Sequence, residues 1–191
     1  MVEEKTVNSI ETPETLGGYL SGKGVSVSEW GKNEAKTVRH FFNEIKNGDC
    51  VLVDTSEGLR RRVVSANVRV YHQADDDLFY LKEDRQEFKD GRVRKRDWFT
   101  WSASEKVKPT ESIEEGGERV LREELKIQGD LNIVRKEVKP ESTESPSYPG
   151  LHTEYQSNFF DAYLTDKQYN PDGYIEEQPD KITYWVWEKV E

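Results

Sequence analysis

The chain has 191 residues, of which 34% are hydrophobic and 35% charged, and its formal net charge is −10. This length suits one ordinary domain with an N-terminal extension, and the many aromatic residues supply apolar surface that disordered chains lack. The negative charge argues against binding a nucleic-acid backbone or an anionic membrane. The single cysteine, Cys50, excludes intrachain disulfides and a thiolate zinc cage.

Neither a signal sequence nor a long apolar run is present, so we expect an intracellular, cytoplasmic protein. Cys50 is interpreted as a buried apolar residue rather than a nucleophile. The sequence leaves the oligomeric state open.

The N-terminal quarter predicts an arm followed by a helix. Residues 1–17 are polar and predict a loose arm. Asn33 can cap a helix over residues 34–47 that Gly48 ends, because apolar side chains recur there at helical spacing. We therefore expect residues 1–48 to form an arm and a helix that packs on a domain of residues 49–191.

The remaining chain predicts strands around a second helix, and the loops 139–153 and 165–181. The dipeptide Asp90-Gly91 favours a two-residue hairpin turn, which would place Glu87 opposite Arg94. Strands that do not alternate strictly with helices indicate an α/β sandwich with a mixed sheet. The predicted strands are residues 50–54, 63–71, 78–88, 92–101, 131–138, 155–164 and 182–190.

A second amphipathic helix, over residues 111–127, carries the most informative pattern. Glu124 occupies the last position of a stripe that is otherwise apolar or glycine, and a buried carboxylate needs a cation, hydrogen-bond donors or a raised pKa. With Glu123 beside it, the pair is typical of a site for a hard divalent cation. The alternative is an acidic surface helix with a salt bridge between Arg119 and Glu123. The stripe consists of Ile113, Gly117, Val120, Leu121 and Glu124.

Residues 105–127 resemble the Nudix box, G-x5-E-x7-R-E-U-x-E-E-x-G-U, in which U is aliphatic. Six of its nine specified positions match without a gap: Glu111, Arg119, Leu121, Glu123, Glu124 and Ile127. Three positions depart from the box. Glu105 and Lys126 stand in place of its glycines, and Val120 replaces the glutamate that is a principal metal ligand in the family.

The resemblance covers roughly residues 62–190 and implies a Nudix-like α/β/α sandwich with a mixed β-sheet and an N-terminal helical extension. The family usually ends in a further helix, and we expect helix 34–47 to take its place. The resemblance further implies Mg²⁺ or Mn²⁺ held by Glu123 and Glu124 with support from Glu111. Arg119, Leu121 and Ile127 would maintain the structure of the motif.

A late loop of the family often supplies one more glutamate as a ligand or base. Glu176 and Glu177 are the candidates here, and the alternative is that both are solvated loop charges. The partner implied is a small phosphate-containing molecule.

Basic side chains near aromatic ones form a further candidate for ligand binding. Arg92, Arg94, Lys95 and Arg96 could grip phosphates, and Trp98, Phe99 and Trp101 could stack on a base. The favoured interpretation is a charged hairpin edge that pairs with Glu83, Asp84 and Glu87.

Two functions stay open from the sequence. The first is a divergent Nudix-type hydrolase of weakened activity that cleaves a nucleoside-diphosphate-linked small molecule. The second is a catalytically inactive Nudix-fold module that binds a ligand or a protein. Val120 favours the second function, whereas Arg119 and the Glu123–Glu124 pair favour the first.

Overall fold

A computed structural model of the protein describes residues 4–7, 10–33 and 35–191. Strands dominate this mixed α/β structure, which has ten strands and three α-helices in the residues described. Two compact units share the chain: unit 1 comprises Met1–Val64, Lys108–Thr110 and Lys139–Ser157, and unit 2 comprises Ser65–Val107, Glu111–Val138 and Asn158–Glu191. The predicted domain boundary between residues 48 and 49 stays a prediction. No helix in the described ranges is long and apolar enough to cross a membrane.

Unit 1 contains two α-helices and short antiparallel strands. Strand β2 pairs with β1 on one side and with the first residues of β3 on the other. The elements are β1 (Lys5–Thr6), α1 (Pro13–Gly22), a 3₁₀ helix (Val27–Glu29), α2 (Val38–Lys46), β2 (Val51–Thr55) and the start of β3 (Gly58–Ala74).

The N-terminal prediction is partly wrong. Residues 13–17, assigned to a loose arm, form the first half of α1, because Thr12 caps the Thr15 amide and Pro13 has the backbone angle of a first helical turn. Residues 1–3 and 8–9 of that arm lie outside the described residues. Helix α2 begins four residues later than residue 34, which is itself not described. Its cap is Thr37 rather than Asn33, whose φ of 52° is not that of a cap.

The core of unit 1 surrounds a buried ion pair. Glu44 has 6% of its surface exposed and accepts hydrogen bonds from Arg61 at 2.8 Å, Lys36 at 2.7 Å and the Tyr148 hydroxyl at 2.9 Å. A buried carboxylate is stable only with such partners. Cys50 is buried in the same core, as predicted.

Unit 2 contains strands and one α-helix among its described residues, and the strand pairs named next are antiparallel. Strand β3 pairs with β4 and β6, and β4 also pairs with β5 and β10, which in turn pairs with β9. The elements are the rest of β3, β4 (Asp77–Phe88), β5 (Val93–Arg94), β6 (Ala103–Lys106), α3 (Ile113–Glu124), β7 (Asn132–Glu144), β8 (His152–Leu164), β9 (Tyr174–Glu177) and β10 (Lys181–Lys189). Strands β7 and β8 also contribute residues to unit 1.

The predicted α/β/α sandwich and N-terminal helical extension are not confirmed, and several predicted strand limits are wrong. Residues 139–144 and 152–153, assigned to a loop, extend β7 and β8, because Pro140 does not interrupt the strand. Residues 174–177, also assigned to a loop, form β9. The predicted strand 92–101 is reduced to Val93–Arg94, and its second half leads into β6.

The hairpin after β4 has a different register from the predicted one. Gln86 faces Arg94 and Glu87 faces Val93, so the loop contains three residues, 89–91, instead of two. Gly91, at a φ of 89°, is the residue that such a three-residue loop requires in the left-handed region. This shift by one residue places Arg94 beside Gln86 rather than Glu87.

Candidate active site

Helix α3 forms one side of the candidate site and ends at Glu124. Ser112 caps the helix by accepting from the Glu115 amide at 3.1 Å, and the Glu115 carboxylate accepts from the Ser112 amide at 2.7 Å. The helix packs closely through Gly117, because a Cβ there would lie only 3.0 Å from Ile133 Cδ1. The cap and the close packing at Gly117 together fix the position of the helix that carries Glu124.

Arg119 binds two of the predicted site carboxylates. Its guanidinium donates to both Glu111 oxygens at 2.9 Å, to Glu123 at 3.0 Å and to the Lys106 carbonyl at 2.8 Å. The Glu123 side chain is 60% exposed. The salt bridge between Arg119 and Glu123, which the alternative interpretation as an acidic surface helix predicted, is present, and the network joins α3 to the segment that precedes it.

A pocket of about 210 Å³ lies in unit 2 at the end of α3. Carboxylates from four elements line it: Glu83 from β4, Glu105 from β6, Glu124 from α3 and Glu176 from β9. Two cations, Arg96 and Lys181, line the same pocket, and Arg96 pairs with Glu83. The rest of its wall is polar or aromatic and consists of Gln86, Phe99, Ser102, Ser104, Gln178, Thr183 and Trp185.

A β-bulge in β4 shapes the floor of this pocket. Arg85 faces Tyr184 on β10, whereas Glu83 faces the next residue, Trp185, so Asp84 is an extra residue on β4. In a regular strand, residues three apart point to opposite faces. The bulge lets Glu83 and Gln86 line the same pocket, where Gln86 Nε2 donates to Glu83 Oε2 at 3.1 Å.

The electrostatics of the pocket centre on Glu124. Burial raises the pKa of its carboxyl to about 9, and the negative charges of Glu105 and Glu176 contribute, while Lys181 and Arg96 oppose the rise. In the part of the chain that the structure describes, the Glu124 carboxyl has no hydrogen bond or ion pair. At neutral pH, without a bound cation, this side chain is therefore a neutral acid.

Residues 93–99, here named the arginine segment, border the pocket. Arg94 Nε donates to the buried Gln86 amide oxygen at 3.0 Å, and Arg96 Nε donates to the buried Glu83 carboxylate at 2.8 Å. The Arg96 guanidinium lies 4.1 Å from the Phe99 ring centroid. The predicted pairing of the basic hairpin with Glu83 is thus confirmed, and Arg94 and Arg96 anchor the arginine segment on β4.

The donor set of the pocket suits a divalent cation that few protein ligands hold. Oxygen ligands are present, and a cation would relieve the repulsion that Glu124 meets from Glu105 and Glu176. However, the described residues contain no group of three or more His, Cys, Asp or Glu side chains placed closely enough to cage an ion. Mg²⁺ keeps waters and takes one or two carboxylates together with phosphates, so the residues of this pocket that could hold such an ion are Glu124 with Glu105 or Glu176.

The structure brings together two of the predicted site carboxylates, Glu124 and Glu176. It does not bring Glu111, Glu123 or Glu177 to the same pocket. The ligand roles predicted for these three stay predictions. Leu121 and Ile127 are buried, which agrees with their predicted structural place in the motif.

Sequence reasoning missed Glu105, Lys181 and Gln86, and it missed the place of Glu83 in the pocket. Glu105 was counted only as a lost glycine, although its position in the box was a signal that it lies close to the site. Lys181 is the last residue of the predicted loop 165–181. Glu83 was expected only to pair with the basic hairpin, and the sequence offers no signal that Glu83 and Gln86 share a pocket, because only the bulge brings both side chains to one face.

No family model matches the chain, and a comparison with curated proteins gives no match. Among solved structures, the chain is similar to a C. elegans Ap4A hydrolase in a binary complex, at 13% identity and a TM-score of 0.36, over 68% of this chain and 80% of that one. It is also similar to the E. coli ORF135 protein, at 18% identity and a TM-score of 0.30, over 65% and 74%. An ADP compounds hydrolase matches at 18% identity and a TM-score of 0.28, over 74% and 66%. TM-scores this low carry no argument about the site or the reaction.

Proposed function

We propose that the chain is a divergent Nudix-type hydrolase that acts on a nucleoside-diphosphate-linked small molecule with Mg²⁺ or Mn²⁺. The observation that supports this proposal best is the position of Glu124. Its carboxyl has no hydrogen bond or ion pair with another described residue, and it shares a small pocket with Glu105 and Glu176. It is also one of the two glutamates, with Glu123, that the resemblance to the Nudix box assigns to the metal.

Glu124, with either Glu105 or Glu176, would hold the cation. Metal ligands must be deprotonated, so binding of the cation removes the proton that Glu124 otherwise keeps at neutral pH. When bound, the ion would polarise a phosphoryl oxygen and activate a water for attack on phosphorus. The box loses one carboxylate at Val120 and gains one at Glu105, so the number of carboxylates is unchanged although their positions in the chain differ.

The cations of the pocket would bind the rest of the charged substrate. Lys181 and Arg96 lie near enough to Glu124 to lower its pKa, so both can neutralise phosphate oxygens beside the bound ion. Thr183 lines the same wall and carries a hydroxyl group that can donate to those oxygens, whereas the Ser102 and Ser104 hydroxyls donate to the Leu81 carbonyl and to Asn67 Oδ1. Positioning and charge neutralisation are most of what diphosphate cleavage requires of a protein.

The expected activity is weak. Val120 is fully buried and carries no charge where the family's box has a glutamate. The remaining pocket carboxylates do not close a three-ligand cage. A cation held by fewer anions binds less tightly and is positioned less well.

A second function rests on the same two observations. With a buried Val120 and no complete cage among the described residues, the pocket also suits a module that binds a phosphate-containing ligand without cleaving it. Its polar wall and two cations would serve recognition alone. The two functions differ in whether the pocket carboxylates support turnover.

Calorimetry with Mg²⁺ and Mn²⁺ tests the metal site. We compare wild type with the pocket variants Glu124→Gln and Glu105→Gln/Glu176→Gln, and with Glu111→Gln/Glu123→Gln as the matched set outside the pocket. Binding that only the pocket variants lose supports the proposal. If only Glu111→Gln/Glu123→Gln loses binding, the ligands are those predicted from the sequence. That result refutes the assignment of the metal to the pocket. A folded wild type that binds neither ion, with or without inorganic pyrophosphate, refutes the hydrolase proposal.

Turnover separates the two functions. A set of nucleoside-diphosphate-linked compounds is incubated with wild type and Glu124→Gln, with and without Mn²⁺, and the products are separated by chromatography. Metal-dependent cleavage that disappears in Glu124→Gln supports the hydrolase. Binding of metal and pyrophosphate without cleavage of any compound supports the binding module.

A further inference from the structure

Trp98 differs from the other tryptophans of unit 2 in its exposure. Its surface is 76% exposed, whereas Trp185 is buried in the pocket wall. Trp101 packs against the Phe159 ring, with centroids 4.3 Å apart, and lies under the Arg69 guanidinium. The aromatic residues of segment 98–101 therefore differ in their surroundings, and among them only Trp98 presents a large ring face to solvent.

The arginine segment, residues 93–99, holds Trp98 beside the pocket. Phe99 lines the pocket and meets the Trp98 ring edge-on, with centroids 6.0 Å apart. Arg96 covers Phe99 and is bound to Glu83, whose side chain is 2% exposed. An aromatic ring on a segment anchored to buried acceptors loses little conformational freedom when a ligand stacks on it.

The size of the pocket indicates that a ligand extends beyond it. Its volume of about 210 Å³ is smaller than typical ligand sites, which hold roughly 300–1,000 Å³. Most of the pocket lining is polar or charged, and of its two aromatic residues Trp185 is buried in the wall, so the pocket suits the phosphates of a nucleotide better than its flat heterocycle. That heterocycle must lie outside, against whatever apolar surface borders the mouth.

We infer that Trp98 is the stacking platform for the nucleobase of a nucleotide whose phosphates occupy the pocket of Glu105, Glu124 and Glu176. This inference rests on the proposed function, and it assigns to Trp98 the selection of ligands that carry an aromatic base. A protein partner would need a contiguous apolar patch. The residues before Trp98 are instead Lys95, Arg96 and Asp97, which suits a single stacked ring flanked by charges.

The test compares a ligand that has a base with one that lacks it. Calorimetry with Mn²⁺ present measures binding of ADP and of inorganic pyrophosphate to wild type, Trp98→Ala and Trp98→Phe. Stacking of one base contributes about 1–3 kcal/mol, so Trp98→Ala should weaken ADP binding by about 5- to 150-fold. Pyrophosphate binding should not change, and Trp98→Phe should keep most of the ADP affinity. Equal urea midpoints for the three proteins show that the fold is intact.

The outcomes separate this inference from the proposed function. If wild type binds pyrophosphate but binds ADP no more tightly, Trp98 is not a base platform, and the metal pocket stands without it. If Trp98→Ala weakens ADP and pyrophosphate equally, or neither of them, the inference is likewise overturned. If wild type binds neither ligand, the proposed function and this inference both fail.

Discussion

Replacement of Glu124 by glutamine should stabilise the protein by an amount that grows with pH. Burial and two neighbouring carboxylates raise the pKa of Glu124 from 4.5 to about 9 in the folded protein. A carboxyl with a raised pKa keeps its proton when folded and loses it when unfolded, so its contribution to stability falls as pH rises. The fall begins near the unfolded pKa and ends near the folded one. Glutamine does not titrate and avoids this loss.

The magnitude follows from the size of the pKa shift. Each unit is worth 1.36 kcal/mol, so a shift from 4.5 to about 9 would cost wild type about 6 kcal/mol at high pH if it were fully expressed. Because the carboxyl borders an open pocket, water and small movements of Glu105 and Glu176 relieve part of this cost. We expect Glu124→Gln to exceed wild type by about 2 kcal/mol at pH 9 and to equal it near pH 4.5.

Urea unfolding at a series of pH values between 4.5 and 9 measures this difference. The buried Trp185, in the pocket wall, contributes a fluorescence signal from the unit that contains Glu124. Glu123→Gln is the matched control, because Glu123 is exposed and paired with Arg119, and its difference from wild type should not increase with pH in this way. A difference between Glu124→Gln and wild type that stays constant from pH 4.5 to 9 would refute the reasoning. Mn²⁺ at pH 8 should stabilise wild type and leave Glu124→Gln unchanged.

Three further predictions concern the fold. Lys126→Gly should stabilise the protein by about 1 kcal/mol in thermal or urea unfolding, because Lys126 has a φ of 56° that glycine adopts freely, whereas Lys126→Ala should not stabilise it. Gly173→Ala should destabilise it by more than about 3 kcal/mol, because the added Cβ would lie 2.0 Å from a backbone oxygen of β10, while Gly91→Ala, with open space around it, should cost only about 1 kcal/mol by the same assay. Glu44→Gln should cost about 3–5 kcal/mol by urea unfolding, because it leaves the Arg61 guanidinium buried without its counter-ion; a loss below about 1 kcal/mol would contradict this.

Local patterns in the sequence were enough to find the principal helix of the site. The apolar stripe and the spacing of the glutamates are properties of neighbouring residues, so a helix over residues 111–127 and the exceptional position of Glu124 could be inferred from them, and α3 is shorter, Ile113–Glu124. Alternation of apolar and polar residues likewise located β3, β4, β8 and β10 to within a few residues. These features depend on interactions within one element, which sequence periodicity reports directly.

Registers and partners depended on contacts between elements that are distant in sequence. The three-residue hairpin loop moved Arg94 opposite Gln86, and the bulge at Asp84 turned Glu83 and Gln86 toward one pocket. One added or missing residue in a strand reverses the face of every side chain after it, and no local propensity specifies it.

The same distinction divides the glutamates of the site. The sequence by itself determined that Glu123 and Glu124 lie on one helix, which it extended to residue 127, and that Arg119 can reach Glu123, since both follow from helical geometry. Only the tertiary structure decided that Arg119 also binds Glu111, and that Glu105 and Glu176 come to Glu124. The physical reason is that a carboxylate pairs with the charges that folding brings near it in space, and neighbours in sequence are only some of these.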